Sequence, residues 1–279
     1  MIRRPPRSTQ GVSSAASDVY KRQVLRMAMT SVDCIEEIPF KTVLVHPTIL
    51  TKDGRRMSKS LGTGLNPLDL VDLYGTDATR YSLLAQAGAV QDVRFDAEIE
   101  ANKVRSSASA EAGRNFGNKL WNATRFVLMN TDGYQPVEST RGELADRWIC
   151  SRLEATVREV TEALEEYRFS DLTRSVYHFV WGDYCDWYLE LAKVRLQGDD
   201  PQARIEVQHT LVRVLEVALR LLHPIMPFIT ETLWQALPLG EEDRAESIMI
   251  AAWPEFCLLY TSDAADDTPC VDLGGRRII

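Results

Sequence analysis

Apolar side chains recur every three or four positions between about residue 97 and residue 237, and this period constrains the fold more than any other feature of the sequence. A period of 3.6 residues places such side chains on one face of an α-helix. The sets that would share a face are Leu120, Ala123 and Val127; Leu144, Trp148, Val160 and Leu164; and Leu211, Leu215, Ala218 and Leu222. Turn-forming residues at 133–136 and 198–201 separate the stretches that have this period, and Pro224 and Pro227 interrupt the last stretch. The pattern predicts a bundle of about five helices.

The segment before residue 97 has a mixed pattern. The short run Phe40–Val45 is rich in β-branched residues and predicts a buried strand. A polar loop at 51–62 follows, with little to bury. Three further elements are predicted along the chain: a helix capped by Asn66 with Pro67 in its first turn and closed by Gly75, a helix from Thr76 to Gln86, and an extended segment at 91–95.

Composition excludes several classes of protein. Lys and Arg total 32 against 40 Asp and Glu, so the chain carries a net charge of −8 and has no general attraction for nucleic acid. No apolar run reaches the roughly 20 residues of a membrane-spanning helix. The five cysteines are odd in number and lack C-x-x-C spacing, and neither Cys185 nor His223 has a metal-ligand partner at usable spacing. We therefore expect a cytoplasmic protein with no metal site.

The two ends of the chain differ from the rest. Residues 1–23 and 257–279 show no hydrophobic period, and both resemble translated sequencing-adapter read-through. We expect these stretches to be non-native or disordered, and we leave them out of the fold prediction. Any binding of nucleic acid must then come from a local patch of positive charge within residues 24–256.

One such patch lies in residues 41–60, where five basic side chains face a single acidic one, Asp53. A lysine ammonium flanked by serine hydroxyls and free backbone N–H groups can follow the charge that develops on a nucleotide phosphate. Glycines at 54 and 62 would let such a loop close. The loop has neither P-loop nor dinucleotide-binding spacing. It is therefore either a phosphate clamp or simply a solvated loop.

The residues of this loop resemble a known signature. Arg56–Ser60 is similar to the KMSKS sequence of class I aminoacyl-tRNA synthetases. The resemblance continues through Asn66–Asp69, Tyr74–Arg80 and Gln91–Phe95, and Arg114–Phe126 is similar to the valyl-tRNA synthetases of that class. Two later segments, Asp186–Glu190 and His223–Glu231, resemble the anticodon-binding domain. The resemblance covers about residues 24–256.

The resemblance implies roles for the loop residues. Lys59 would stabilise the ATP phosphates while the carboxylate of valine attacks the α-phosphorus, with Ser58 and Ser60 in support and Met57 as the anchor of the loop. Arg56 stands where the family has a lysine, which keeps the charge but changes the donor geometry. His46 would contact ATP, although Pro47 replaces the glycine of the family pattern. ATP with Mg²⁺ is then a substrate, and no tightly bound cofactor is expected.

A second basic patch lies in residues 101–130, where five basic side chains again face one acidic one, Glu111. It contains a stripe of cationic and amide side chains at helical spacing, which predicts either a solvated face or a track for tRNA phosphates. The candidate residues are Arg114, Asn115, Asn118, Lys119, Asn122 and Arg125. An aromatic group at 177–188 could stack on bases, but Tyr177, Trp181, Tyr184 and Tyr188 form one apolar stripe, which favours core packing and leaves Trp187 aside.

These observations predict a mainly α protein in which the remnant of an α/β Rossmann-like catalytic domain, residues 24–96, precedes a helical-bundle anticodon-binding domain, residues 97–256. The resemblance implies a ligase that joins valine to tRNA(Val) and acts as a monomer. No His-x-x-His pair occurs, and an editing domain has no room. We therefore expect a C-terminal portion that is inactive alone. Three alternatives stay open: an isoleucyl- or leucyl-tRNA synthetase, a non-catalytic tRNA-binding module, and a helical scaffold.

Overall fold

The computed structural model describes residues 15–44, 48–57, 64–88, 92–100, 103–136, 142–240 and 245–255, and of residues 15–21 only the backbone. The chain divides into two compact units, residues 1–45 and 46–279. Helix α1, Ala15–Ile35, occupies the first unit and begins within the end segment 1–23. Residues 40–44 form no strand, and Val43 and Leu44 are half exposed, so the predicted buried strand is wrong there. A strand needs a pairing neighbour, and no described residue pairs with this run.

The second unit begins with a small mixed segment, residues 48–106, which we call the signature module. Its elements are β1 (Ile49–Leu50), α2 (Pro67–Tyr74), α3 (Thr76–Gln86), β2 (Val93–Arg94), β3 (Glu98–Glu100) and β4 (Lys103–Ser106). Strands β1 and β2 pair in parallel, whereas β3 and β4 form an antiparallel pair. The two sheets are short, so the packing of the helices provides most of the stability of the module.

The predicted start and end of α2 are confirmed. The side chain of Asn66 accepts a hydrogen bond from the Leu68 N–H, and Pro67 occupies the first turn, where its missing N–H costs nothing. Gly75 ends the helix with φ of +90°, a conformation that favours glycine. The turn redirects the chain into α3, whose predicted bounds Thr76–Gln86 are also confirmed.

The rest of the second unit is the helical bundle, and the described residues contain the five predicted helices. They are α4 (Ala108–Asn130); α5 (Leu144–Glu165); one continuous helix made of α6 (Phe169–His178), a π-helical stretch (Phe179–Tyr188) and α7 (Leu189–Leu196); α8 (Pro201–Leu222); and α9 (Pro227–Ala236). The interruption at Pro224 and Pro227 lies between α8 and α9, as the sequence predicts. A single 3₁₀ turn, Ile248–Ile250, follows the bundle.

The core of the bundle is formed by the faces that the period predicts, with one exception. Leu120, Val127 and Leu215 are fully buried. Leu144 is 75% exposed, because it is the first residue of α5 and lies outside the packed part of that helix. No helix among the described residues is long and apolar enough to cross a membrane.

Candidate functional site

The central residues of the signature, Ser58, Lys59 and Ser60, lie outside the described residues, as does His46. The structure does describe the chain that leads into them. Residues 51–55 form a tight turn after β1, in which the Thr51 N–H donates to the Arg55 carbonyl over 2.8 Å. Gly54 takes φ of +76° in this turn. Arg56 then forms an antiparallel bridge with Leu50, so the backbone just before Lys59 is fixed to β1.

Met57 is the last described residue before the signature lysine, and its side chain is partly buried. It packs against a small apolar cluster that joins α2, the strands and the start of α4: Leu70, Phe95, Val104 and Ala110. Complete burial of a methionine contributes about 1.5–3 kcal/mol, and the partly buried Met57 gains a fraction of this. The flank of the loop is thus tied to the core of the signature module.

Two of the basic residues in this region form ion pairs on the surface. Lys52 lies 3.6 Å from Glu98, and the Arg55 guanidinium lies 3.0 Å from Asp53. Exposed pairs of this kind are weak, at roughly 0–1 kcal/mol, so an anionic ligand can compete for the cations.

Helix α4 carries the second candidate patch, and a carboxylate fixes its first turn. Asp96 accepts hydrogen bonds from the Ser107 hydroxyl and from both the amide and the hydroxyl of Ser109, over 2.6–2.9 Å. Burial alone would raise the pKa of Asp96, but the hydrogen bonds from Ser109 and Ser107 outweigh it, and the pKa is lowered. Ser107 caps the helix by accepting from the Ala110 N–H. These contacts hold α4 firmly on the signature module.

The predicted stripe on α4 lies on the exposed side of the helix. Asn115, Asn118, Asn122 and Arg125 are all exposed, while Phe116 and Leu120 fill the opposite, buried side. The amide groups of the three asparagines offer both donors and acceptors in one row. Among the described residues, Arg125 has no carboxylate partner, so its guanidinium points to solvent with its donors available.

Lys119 lies beside this stripe and has two partners from the π-helical stretch. Its ammonium donates to Asp186 over 2.8 Å and lies 5.0 Å from the centre of the Trp181 ring. The hydrogen bond to Asp186 raises the pKa of Lys119. Sequence reasoning counted Lys119 as a free positive charge and missed Asp186, which is 67 residues away in the chain.

Arg114 and Arg105 also have partners. The Arg114 guanidinium lies 3.3 Å from Glu111 and 5.3 Å from the centre of the Tyr74 ring, and Arg105 pairs with Glu100 over 2.6 Å. Three of the five cations of residues 101–130 are therefore paired, and the two without a carboxylate partner among the described residues are Lys103 on β4 and Arg125 at one end of the exposed stripe.

Core packing of the aromatic stripe is confirmed. Tyr184 and Tyr188 are fully buried, and the Tyr184 hydroxyl donates to the Leu211 carbonyl over 3.0 Å. Tyr177 and Trp181 are partly buried against the same core. Trp187 is 64% exposed and adjoins Asp186, so it is the aromatic side chain of this group that remains accessible. The motif Asp186–Glu190 contains Asp186, the partner of Lys119 that sequence reasoning missed.

The remaining candidate residues are structural. His223 Nδ1 lies 2.8 Å from the Thr230 hydroxyl, and Cys185 is a buried free thiol. Burial raises the pKa of Cys185 to about 12, so the thiol is protonated and unreactive at neutral pH. Within the described ranges, no group of three or more His, Cys, Asp or Glu side chains could hold a metal ion.

Two protein-family models match this chain. Residues 9–96 match tRNA synthetases class I (I, L, M and V), and residues 146–268 match the anticodon-binding domain of tRNA ligase. The first match includes the signature and α2–α3, and the second includes α5–α9.

Curated relatives agree with these matches. The chain is 43% identical to a valine–tRNA ligase of Bacillus licheniformis over 90% of its length, and 45% and 46% identical to those of Thermotoga maritima and Symbiobacterium thermophilum over 85%. It spans about a quarter of the relatives' own length, 26–27%.

A solved structure shares the fold. The LeuRS of Agrobacterium radiobacter K84, in a ternary complex with tRNA and LeuAMS, superposes with a TM-score of 0.65 at 18% identity. The match covers 86% of this chain and 27% of that one. At this identity the likeness establishes the architecture, a helical bundle that follows a short mixed segment.

Proposed function

The chain belongs to the class I tRNA synthetases, and we propose that it is the part of a valine–tRNA ligase that supplies the KMSKS-like ATP loop and binds tRNA. The whole enzyme would use ATP with Mg²⁺ to activate valine. The valine carboxylate would attack the α-phosphorus, and an aminoacyl-adenylate would form as pyrophosphate leaves. A hydroxyl of tRNA(Val) would then take the aminoacyl group as AMP leaves. We further propose that the protein acts as a monomer in the cytoplasm.

The nucleotide part of the proposal assigns Lys59 the main charge on the ATP phosphates. A fixed cation that meets charge as it develops contributes most when its backbone does not have to reorganise. The tight turn at 51–55, the Leu50–Arg56 bridge and the packing of Met57 support this role, because they fix the chain that leads into the lysine. Ser58 and Ser60 are proposed to assist Lys59, and His46 to contact ATP.

The main support for tRNA binding is the exposed row of polar side chains on α4. Asn115, Asn118, Asn122 and Arg125 are presented on a helix whose opposite side is fully buried, so the row is rigid. Asparagine amides and a guanidinium that has no carboxylate partner in the described part of the chain suit phosphate and sugar contacts. The exposed ring of Trp187 and the paired Lys119 add a stacking face and a second cation.

Binding of tRNA to this polypeptide tests the proposal. We expect tRNA(Val) to bind, with affinity that falls as salt rises. Replacing one phosphate-contacting cation, as in Arg125→Gln, should weaken binding and lower the salt slope by about 1. The matched control is Arg204→Gln, an exposed arginine on α8 outside the proposed row, which should change neither quantity. Absence of binding at low salt, or equal effects of the two variants, would refute the proposal.

Further measurements separate the alternatives. Tighter binding of tRNA(Ile) or tRNA(Leu) than of tRNA(Val) would favour an isoleucyl- or leucyl-tRNA synthetase. Binding of tRNA without any ATP contact would favour a non-catalytic module. A scaffold predicts that charge reversal at Lys119 and Arg125 changes no affinity. We expect no valine-dependent pyrophosphate–ATP exchange by this polypeptide alone, because it contains no His-x-x-His pair of the class.

A further inference from the structure

Two sequence motifs that lie about 150 residues apart meet in the structure. One is the start of α3, with Asp77 and Arg80, and the other is the corner between α8 and α9, residues 223–229. Asp77 and Arg80 are three positions apart on a helix, so they share one face. That face presents one anion and one cation to the corner.

The amides of Ile225 and Met226 donate to the Leu222 carbonyl, but those of Phe228 and Ile229 have no backbone partner within the corner. Met226, the residue before α9, makes no capping hydrogen bond through its side chain, and Pro227 at the first helical position has no N–H. The first free amides of α9 are therefore those of Phe228 and Ile229. A helix start of this kind carries partial positive charge and favours an anion.

Asp77 satisfies both amides. Its two carboxylate oxygens accept from Phe228 N over 3.2 Å and from Ile229 N over 2.7 Å. A residue of α3 thus caps a helix that begins 150 positions later. Hydrogen bonds to an ionised group are stronger than those of the usual amide pair.

Arg80 binds the other side of the same corner. Its Nε donates to the Ile225 carbonyl and its Nη2 to the Pro224 carbonyl, each over 3.0 Å. These carbonyls follow the end of α8, where partial negative charge favours a cation. Ile225 and Met226 are buried between these contacts, so the corner is held by polar bonds around an apolar centre.

We propose that Asp77 and Arg80 are positioning residues, which hold the signature module on the helical bundle in one orientation. Met57 is packed on the Leu70 cluster of the module, so fixing α3 to α9 also fixes the flank of the signature loop relative to the bundle. The use of this fixed orientation, to keep a nucleotide loop and a bound tRNA at a constant separation, rests on the proposed function. The positioning role itself does not.

A distance measurement between two spin labels tests the orientation directly. Labels at Leu68→Cys on α2 and Val194→Cys on α7, both exposed, report the module and the bundle. Cys34, Cys257 and Cys270 are first replaced by serine. The otherwise unchanged protein should give one narrow distance distribution. Asp77→Ala with Arg80→Met should broaden this distribution, because the polar contacts with the corner are then lost, while α4 and its contacts with Asp96 still hold the module on the bundle. Asp77→Asn, which keeps one acceptor oxygen, should give an intermediate width.

The control is Asp200→Ala, which removes a comparable cap, the hydrogen bond from Gln202 N to Asp200, at the start of α8. It should leave the distribution narrow. Circular dichroism of each variant checks that the helices remain. A narrow distribution in the Asp77 and Arg80 variants would overturn the proposal.

Hydrogen exchange with and without tRNA provides the second test, which a purely structural role would not affect. In the wild-type chain, bound tRNA should slow amide exchange in residues 64–88. In the double variant, tRNA should still bind along α4, but this protection should be lost, and the amides of Phe228 and Ile229 should exchange about tenfold faster or more. Equal protection by tRNA in both proteins would contradict the coupling. If the wild-type chain binds no tRNA, the proposed function fails, while the distance measurement still decides the positioning role.

Discussion

Asp146 is the buried charge on which the start of α5 depends, and its replacement should be among the most destabilising single changes in the bundle. Its carboxylate is almost completely buried. It accepts from the Tyr188 hydroxyl over 2.6 Å, from the Glu143 backbone N–H over 2.9 Å, and from the Arg195 guanidinium. Burial, together with the Asp146 charge, raises the pKa of Tyr188 well above its usual value, so the phenol remains a donor.

The expected loss follows from these contacts. Removing one partner of a buried ion pair costs about 3–5 kcal/mol, because the other charge stays buried without compensation. Arg195 keeps Glu206 at 3.3 Å and Glu143 at 3.5 Å, which favours the lower end of that range. The Tyr188 hydroxyl loses its acceptor Asp146 but keeps a hydrogen bond with Thr210, so this loss adds about 1 kcal/mol, the lower end of the usual range. We therefore expect Asp146→Ala to lower the free energy of unfolding by about 4 kcal/mol.

Urea unfolding followed by circular dichroism measures this change. Asp183→Ala is the matched control, because it also removes a carboxylate paired with an arginine, but Arg152 is about half exposed. The cation left behind stays hydrated, so the loss should be about 1 kcal/mol. Tyr188→Phe should cost about 1 kcal/mol alone and much less when Asp146 is already alanine. A loss below about 1 kcal/mol for Asp146→Ala would refute the assignment of a buried ionic centre.

Two further predictions concern stability. Burial and then the charge of Arg213 lower the pKa of His209, and burial lowers that of His223, so the native state binds fewer protons than the unfolded one. The two neutral histidines contribute their full stability above about pH 6.5, the usual pKa of histidine, and this contribution is lost as the pH falls from there through their lowered pKa values. The urea midpoint at pH 5.5 should therefore lie below that at pH 7.5. Gly113→Ala would place a methyl carbon 2.8 Å from a backbone oxygen of α3 and should cost about 1–3 kcal/mol in urea unfolding, whereas Gly182→Ala meets nothing within 4 Å and should cost nothing.

The helices were predictable because their signals are local. The period of 3.6 residues, the Asn66 cap and the Gly75 stop act within a turn or two of the chain, and the structure confirms each of them. The start of α5 shows the limit of this reasoning. Leu144 has the right spacing for the buried face, but it is the first residue of its helix and projects beyond the neighbouring helices.

Features that depend on distant partners escaped prediction. A strand at 40–45 needs a neighbour that no short window can show, and residues 40–44 form none. The π-helical geometry of Phe179–Tyr188 also escaped prediction, because its aromatic stripe has the 4, 3, 4 spacing of an ordinary α-helix and nothing in that spacing indicates i→i+5 hydrogen bonds. The cap of α9 by Asp77 lies across about 150 residues and follows only from the fold.

The charge of α4 shows why a count along the sequence overstates a nucleic-acid site. Five cations within 30 residues suggest a broad positive surface, yet Asp186 and Glu100 neutralise two of them from outside the helix, and Glu111 neutralises a third. At the scale of a Debye length, about 8–10 Å, phosphates respond to the sum of these charges and not to the cations alone. Lys103 on β4 and Arg125 on α4 keep their charges, so along the row itself the attraction is confined to the Arg125 end, and specific contacts from the asparagines must supply what general electrostatics does not. A modest salt slope combined with a strong effect of Arg125→Gln is the signature that this charge distribution predicts.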